Sequence, residues 1–307
     1  MITYNKGILI GIPCYNEEST IKKVVEDFKR ELPEAKILVV DNNSSDNTAK
    51  KAREAGAEVE REKRQGKGFA VQKIFEKFTQ GYLVIVDGDD TYSPEEAHKL
   101  IDSLIQDKAD MLAGNRLNKK NKKSFSTPHW WGNKMFAFFI NLLFKTNLND
   151  ILSGYRVFNQ NFKRNAILLS GGFEIESELT IQSIERNLKI KELPVSLKKR
   201  GGLSTSKIRT FKDGFIILYT ISSLFRDYKP LEFFSVISFF SLAVGMFISW
   251  RGISEYLETG LVTHLPSLVV GGFLVLFSFI SFIAGLILSS LKRRHEEIIS
   301  LIKKNNF

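Results

Sequence analysis

In "IVDGDDTYS", residues 85–93, three carboxylates, Asp87, Asp89 and Asp90, stand directly behind the apolar run Tyr82 to Val86. Oxygen donors in a D-x-D spacing suit a hard cation such as Mg2+ or Mn2+, which commonly bridges one or two carboxylates to a substrate diphosphate. Taken alone, the triplet reads equally well as a solvated turn. Two further stretches add to it. Asp41, at the end of "ILVVD", is an acceptor suited to a base or ribose, and "GKG" at 66–68 sets Lys67 beside permissive backbone. Lys67 by itself is also an ordinary surface lysine at a helix start.

Such groups need elements that bring them together. "GILIGIP", "AKILVVD" and "GYLVIVD" read as buried strands, the first over Ile8 to Ile12, while residues 18–31 and 67–79 carry helical periodicity. Strand, helix, strand in this order implies a parallel, helix-covered sheet. Ligands collect at the carboxyl ends of strands in such sheets. "PCYNEE", "DNNSSDNT" and "DGDD" each follow a strand directly, so the acidic residues are expected at the mouth of the sheet.

Composition narrows the partners. The 307 residues carry 44 Lys plus Arg against 34 Asp plus Glu, and the net charge of +10 favours an anionic partner, whether phosphate, nucleic acid or a lipid headgroup surface. A single cysteine, Cys14, excludes an intramolecular disulfide and reads as a plain buried thiol. Histidines at 98, 129, 264 and 295 are too scattered for a zinc site. The opening "MITYNKGILIGIP" has only a short apolar run, stopped by Pro13, where a secretory signal needs a longer one. Leu231 to Trp250 holds one charge, Glu232, and Leu268 to Leu291 holds none. Both are long enough to cross a bilayer, which takes about 20 apolar residues. "GISEYLETGLVTHLP" between them carries no Lys or Arg, whereas "LFRDYKP" precedes the first span and "KRRHEEIISLIKK" follows the second, which places both chain ends in the cytoplasm.

"IPCYNEESTI", "ILVVDNNSSDNTA", "GKGFA", "VDGDDTYSPE", "AGNR", "SGYRVF" and "RGGLSTSKI" occur in the order and approximate spacing of family 2 glycosyltransferases. Over residues 7–212 the chain resembles the membrane-anchored polyprenyl-phosphate branch of that family, related to dolichyl-phosphate mannose synthase. The resemblance implies an α/β GT-A fold, the nucleotide-diphospho-sugar transferase architecture: a parallel-rich sheet with helices on both faces, followed here by two C-terminal transmembrane helices. It implies a cytoplasmic catalytic domain over 1–210, an amphipathic juxtamembrane segment over 211–230, the two spans with a short external loop over 231–291, and a basic cytoplasmic tail over 292–307.

Carried over residue by residue, the resemblance assigns Pro13, Tyr15, Glu17 and Asp41 to the nucleoside. Asp87 and Asp89 become the Mg2+ or Mn2+ ligands, and Asp87, Gly88 and Lys67 join the nucleotide-sugar site. Thr91 stands where the family often has Gln, which leaves the third ligand open. Arg116, Arg156, Arg200 and Lys207 match positions that contact phosphates, and with Asp89 they form the expected catalytic set. Glu174 and Glu176 in "GGFEIESEL" lie in a segment resembling one near the acceptor site; acidic residues at a helix start are the plainer reading. The partners implied are a UDP- or GDP-linked sugar, polyprenyl phosphate (undecaprenyl or dolichyl) and the bilayer, with room for a homo-oligomer and no nucleic acid. The expected reaction is inverting hexosyl transfer from the nucleotide to the lipid phosphate, serving cell-envelope or glycan assembly.

Other readings stay open at this level. Transfer to another lipid or glycan hydroxyl uses the same donor site. A processive polysaccharide synthase usually shows Q-x-x-R-W, and none of Trp130, Trp131 and Trp250 follows an Arg that way. A nucleotidyltransferase gives no reason for the spans, and a channel or scaffold is weakened by spans without a central ionisable residue. "WWGNKMFAFFINLLF", 130–144, is too short to cross a bilayer and reads either as a buried core helix or as an interfacial one that guides a lipid tail. "FKDGFIILYTISSLF", 211–225, has the same character and reads as interfacial, while "LNKKNKKS" reads as a solvated loop or a rest on anionic lipid.

Overall fold

Apolar runs that are buried on both faces form the centre of the sheet. The computed structural model describes residues 7–118, 121, 127–198, 219 and 222–305. Strands β1 (Ile8–Cys14), β2 (Lys36–Asp41), β3 (Glu58–Arg61), β4 (Tyr82–Ile85), β5 (Met111–Asn115), β6 (Arg156–Phe158) and β7 (Ile190–Pro194) pair in the order β3-β2-β1-β4-β6-β5-β7. β6 runs antiparallel to both of its neighbours, and the other pairs are parallel. The carboxyl ends of β1, β2, β3, β4, β5 and β7 therefore share one edge with the start of β6. The first strand continues two residues past its expected end, through Pro13 and Cys14.

Alternation along the strands divides the core into two layers. Ile10 and Ile12 of β1 and Val39 of β2 face one side; Leu38 and Val40 face the other. Helix α1 (Ile21–Glu31) covers the first side with Ile21, Val24, Val25 and Phe28, the i, i+3, i+4, i+7 stripe of an amphipathic helix. α4 (Glu96–Gln106) adds Ala97, Leu100, Ile101 and Leu104 at the same spacing, and α2 (Thr48–Glu54) adds Ala52. On the second side lie α3 (Lys67–Lys77) with Ala70, Val71, Ile74 and Phe75, the short α6 (Gln160–Asn165) with Phe162, and α7 (Ile175–Glu185) with Ile175 and Leu179. Each large side chain so buried contributes roughly 1.5–3 kcal/mol by the area it removes from water.

α5 (Thr127–Phe144) combines the two readings of its sequence. Phe136, Ala137, Ile140 and Phe144 are buried, while Trp131, Met135, Phe138 and Leu142, at helical spacing, form an exposed apolar stripe.

Residues 219–307 cluster apart from 1–218 as a second unit. It holds α8 (Pro230–Thr259) and α9 (Leu265–Asn305), joined by residues 260–264. Both are long and apolar enough to cross a membrane, and only 6% and 22% of their most apolar windows are buried, unlike core helices of a soluble protein. The two helices pack closely: a Cβ on Gly271 would come within 1.9 Å of Ser249 Oγ.

Candidate active site

Two loops at the shared edge clasp each other. Behind β1, Asn16 N–H donates to Ser44 Oγ (3.0 Å), Glu17 N–H to Thr48 Oγ1 (2.9 Å) and Glu18 N–H to Asp46 Oδ2 (3.1 Å). In return Ser45 N–H donates to Asn16 Oδ1 at 2.9 Å and Asn47 N–H to Glu18 Oε2 at 3.1 Å. Pro13 and Cys14 end the strand below, and Tyr15 stands at the rim, 40% exposed. Asp41 is buried at the end of β2, its Oδ1 accepting from Ser44 N–H. An exposed ring and a buried carboxylate behind neighbouring strands are the groups that stacking on a base and accepting from a ribose call for.

The "DGDD" loop leaves β4 beside this clasp. Thr20 Oγ1 donates to Gly88 O at 2.7 Å, and a Cβ on Gly88 would come within 2.6 Å of Cys14 Sγ, so the loop lies against β1 at this point. Burial, together with Glu17, Asp41, Asp87 and Asp89, pushes the Cys14 thiol well up from its usual range, so it stays protonated and inert. Asp89 Oδ1 accepts from Thr91 N–H at 3.1 Å. Asp87 lies against Gly154 of "SGYR", where a Cβ would approach Asp87 Oδ2 to 2.4 Å.

Lys67 is no surface lysine. Its Nζ lies 2.6 Å from Asp87 Oδ1 and 2.6 Å from Glu176 Oε1. Burial alone would lower its pKa, but the two carboxylates outweigh burial and hold the ammonium well above its ordinary value. Glu176 is thereby drawn to the Asp87 loop; Glu174 caps a turn by accepting from Gly172 N–H.

Of the arginines that the motifs mark for phosphate, two have their donors engaged within the protein. Arg156 is 1% exposed, with its guanidinium donating to the carbonyls of Ser153 and Ile151 and to Thr180 Oγ1, with Met111 Sδ beside it. Burial pulls it down to about 10, still charged at neutral pH. It braces the loop before β6 from inside. Arg116 follows β5 at the shared edge, but its fork is closed on Asp150, with Nε to Oδ2 at 2.8 Å and Nη2 to Oδ1 at 2.9 Å. Arg200 and Lys207 lie outside the described residues, as does most of the 211–225 segment.

Asp150 went unread in the sequence. It is 1% exposed and its carboxylate also takes Arg116 N–H, yet nothing in "NLNDIL" links it to an arginine 34 residues away. Asn42 was also missed: its Oδ1 accepts from Gly66 N–H and its Nδ2 donates to Arg64 O, both at 2.7 Å, which fixes the start of α3 and with it Lys67.

The residues present fit a hard divalent cation. Asp87 and Asp89 supply carboxylate oxygens at one loop, and Thr91 Oγ1, two residues on, is buried with no hydrogen-bond partner among the described residues. Among those residues no three His, Cys, Asp or Glu side chains gather as a closed metal cage, so an ion there would take further oxygens from a diphosphate or water.

A mostly parallel sheet with its acidic loops at the carboxyl edge is the arrangement of the GT-A fold. Residues 9–164 match the profile of glycosyl transferase family 2. The glycosyltransferase AglJ of Haloferax volcanii is 30% identical over 284 residues, covering 90% of this chain and 92% of that one. A dolichyl-phosphate hexose transferase of the same organism is 30% identical over 207 residues, 67% of this chain and 89% of its own. Among solved structures, glucosyl-3-phosphoglycerate synthase from Mycobacterium tuberculosis with Mn2+, UDP and phosphoglyceric acid superposes with a TM-score of 0.58 at 18% identity, covering 72% of this chain and 78% of that one. The chain belongs to glycosyl transferase family 2. It is a glycosyltransferase with the expected fold, and hexosyltransferases are among its relatives.

Proposed function

We propose that the protein moves a hexose from a nucleoside diphosphate sugar to polyprenyl phosphate at a membrane surface, with inversion at the anomeric carbon. The observation that carries the donor half is the gathering of Asp87, Asp89 and Lys67 at one sheet edge beside the clasped loops of Tyr15 and Asp41. Pro13, Tyr15, Glu17 and Asp41 hold the nucleoside. Asp87, Gly88, Asp89 and Lys67 meet the diphosphate, UDP- or GDP-linked. Mg2+ or Mn2+ bound by Asp87 and Asp89 would supply positive charge to the departing diphosphate. The structural neighbour bound to Mn2+ and UDP supports this reading of the donor side.

The acceptor half rests on the relative named for dolichyl phosphate and on two apolar helices in the same chain. A phosphate monoester is largely dianionic near neutral pH, its second pKa being about 6, so it attacks without a general base. What it needs is cation, to offset repulsion from the donor diphosphate. Arg200 and Lys207 are the groups their motif offers for this. α8 and α9 cross the bilayer with both chain ends in the cytoplasm, by the excess of Lys and Arg before α8 and after Leu291. The exposed stripe of α5 rests in the interface, where Trp and Phe are favoured and where an isoprenoid tail lies.

Membranes holding the protein, incubated with a panel of radiolabelled UDP- and GDP-sugars and polyprenyl phosphate, should yield a labelled lipid-linked monosaccharide. Free polyprenol should be inert in the same assay. Equal labelling of the alcohol would favour transfer to a hydroxyl and remove the phosphate nucleophile.

A further inference from the structure

Lys67 joins two carboxylates from distant parts of the chain, Asp87 behind β4 and Glu176 in the first turn of α7. Hydrogen bonds fix the lysine and the Glu176 end of this bridge. Gly66 N–H donates to Asn42 Oδ1, while Gly68 and Phe69 N–H donate to the carbonyls of Gly172 and Gly171, so the start of α3 is pinned to the segment that leads into α7. Glu176 is itself 7% exposed, which keeps its charge from being screened by water. The ammonium is thus held where a cation on Asp87 would also have to act, and it already takes the Oδ1 oxygen.

Two cations on one carboxylate repel each other, more strongly where burial limits screening. A nucleoside diphosphate changes the balance, because its phosphates bring the negative charge that both cations can share. We infer that Lys67 is an internal competitor for the metal position: it occupies Asp87 while the donor site is empty and makes divalent-cation binding depend on the nucleoside diphosphate. The inference rests on the reading of Asp87 and Asp89 as the metal pair. Its consequence is a coupling between ligands. The metal binds weakly to the empty site and tightly with nucleotide, and by reciprocity the nucleotide gains the same factor from the metal. The site then avoids loading metal without a donor, and Glu176 acts as a positioning residue that anchors the lysine.

The test is equilibrium binding of Mn2+ to the full-length protein in detergent, followed by electron paramagnetic resonance of free Mn2+, without nucleotide and then with UDP or GDP. For the wild type, the better of the two nucleotides should tighten Mn2+ by about tenfold or more, within the usual range of coupling between sites. K67M should bind Mn2+ about tenfold tighter than wild type without nucleotide and lose the part of the coupling that Lys67 contributes, keeping the part that comes from diphosphate oxygens bound directly by the ion. K67R, which keeps the charge, should retain it. Lys23 pairs with Asp90 in the same loop but not with Asp87, so K23M should leave both values within about twofold, and this separates a local effect from a general change of charge. Should K67M leave its two carboxylates too strained to fold, the double variant K67M/E176Q removes the opposing charge and should also bind Mn2+ more tightly than wild type. Mn2+ binding that is equal with and without nucleotide, or unaltered by K67M, overturns the role of Lys67 while leaving the metal pair standing. Absence of Mn2+ binding in every arm overturns the metal pair, and the inference with it.

Discussion

At the scale of single residues, the site turns on which charges face outward and which are spent inside. Asp89 belongs to the first kind. D89N should lower sugar transfer about 100-fold or more with little change in the melting curve, because it removes a full charge from the oxygens offered to a metal while keeping the side-chain volume. Near-normal transfer with Mg2+ or Mn2+ would take Asp89 out of the metal shell. Arg156 is of the second kind. R156A strips donors from the carbonyls of Ser153 and Ile151 and from Thr180, and each orphaned buried acceptor costs about 1–3 kcal/mol. The expected result is a clear fall in thermal stability and in yield of folded protein. An R156A protein that melts like wild type and needs only more polyprenyl phosphate would assign Arg156 to the acceptor.

At the scale of elements, α5 shows how one helix serves two environments. Its inner residues fill the core, and its outer stripe leaves Trp131 at 67%, Phe138 at 61% and Leu142 at 62% exposure, in a chain that also carries two membrane-type helices. Because these side chains touch little, replacing Trp131 and Phe138 with Ser should shift stability by only about 0.5 kcal/mol each. Co-sedimentation of a chain cut after Tyr228 with anionic vesicles should fall, and so should use of long-chain polyprenyl phosphate, while nucleotide binding stays unchanged. Vesicle binding that is indifferent to the two substitutions would return α5 to a purely structural role.

At the scale of the whole molecule, the charge asymmetry around α8 and α9 makes a topological statement. A reporter fused after Phe307 should report cytoplasm, and one inserted near Glu258 should report the opposite side. Cytoplasmic signal from both positions would overturn the hairpin. The basic stretches "LFRDYKP" and "KRRHEEIISLIKK" flank the hairpin on the proposed cytoplasmic side.

Much of this was legible from local pattern. Buried parallel strands must be apolar along their whole length, so "GILIGIP", "AKILVVD" and "GYLVIVD" announced themselves, and a strand's carboxyl end is where polar chemistry begins. That is why Asp41, Asp87 and Asp89 were read correctly as lying at one edge, and why α8 and α9 were read from their apolar length. Pairing between elements was not legible, because it depends on strand order. The reversed β6, set between β4 and β5, turns the loop of Asp150 and Gly154 back to the shared edge, where Asp150 meets Arg116 and Gly154 packs on Asp87. The same reversal buries Arg156 beneath α7, although its motif marks it for a phosphate. Lys67 was assigned to the nucleotide-sugar site and Glu176 to a segment near the acceptor, but nothing in the sequence pairs the two. Only the contact of α3 with the segment before α7 brings their charges to 2.6 Å, since an ion pair is decided by distance in space and not by the residues beside it in the chain.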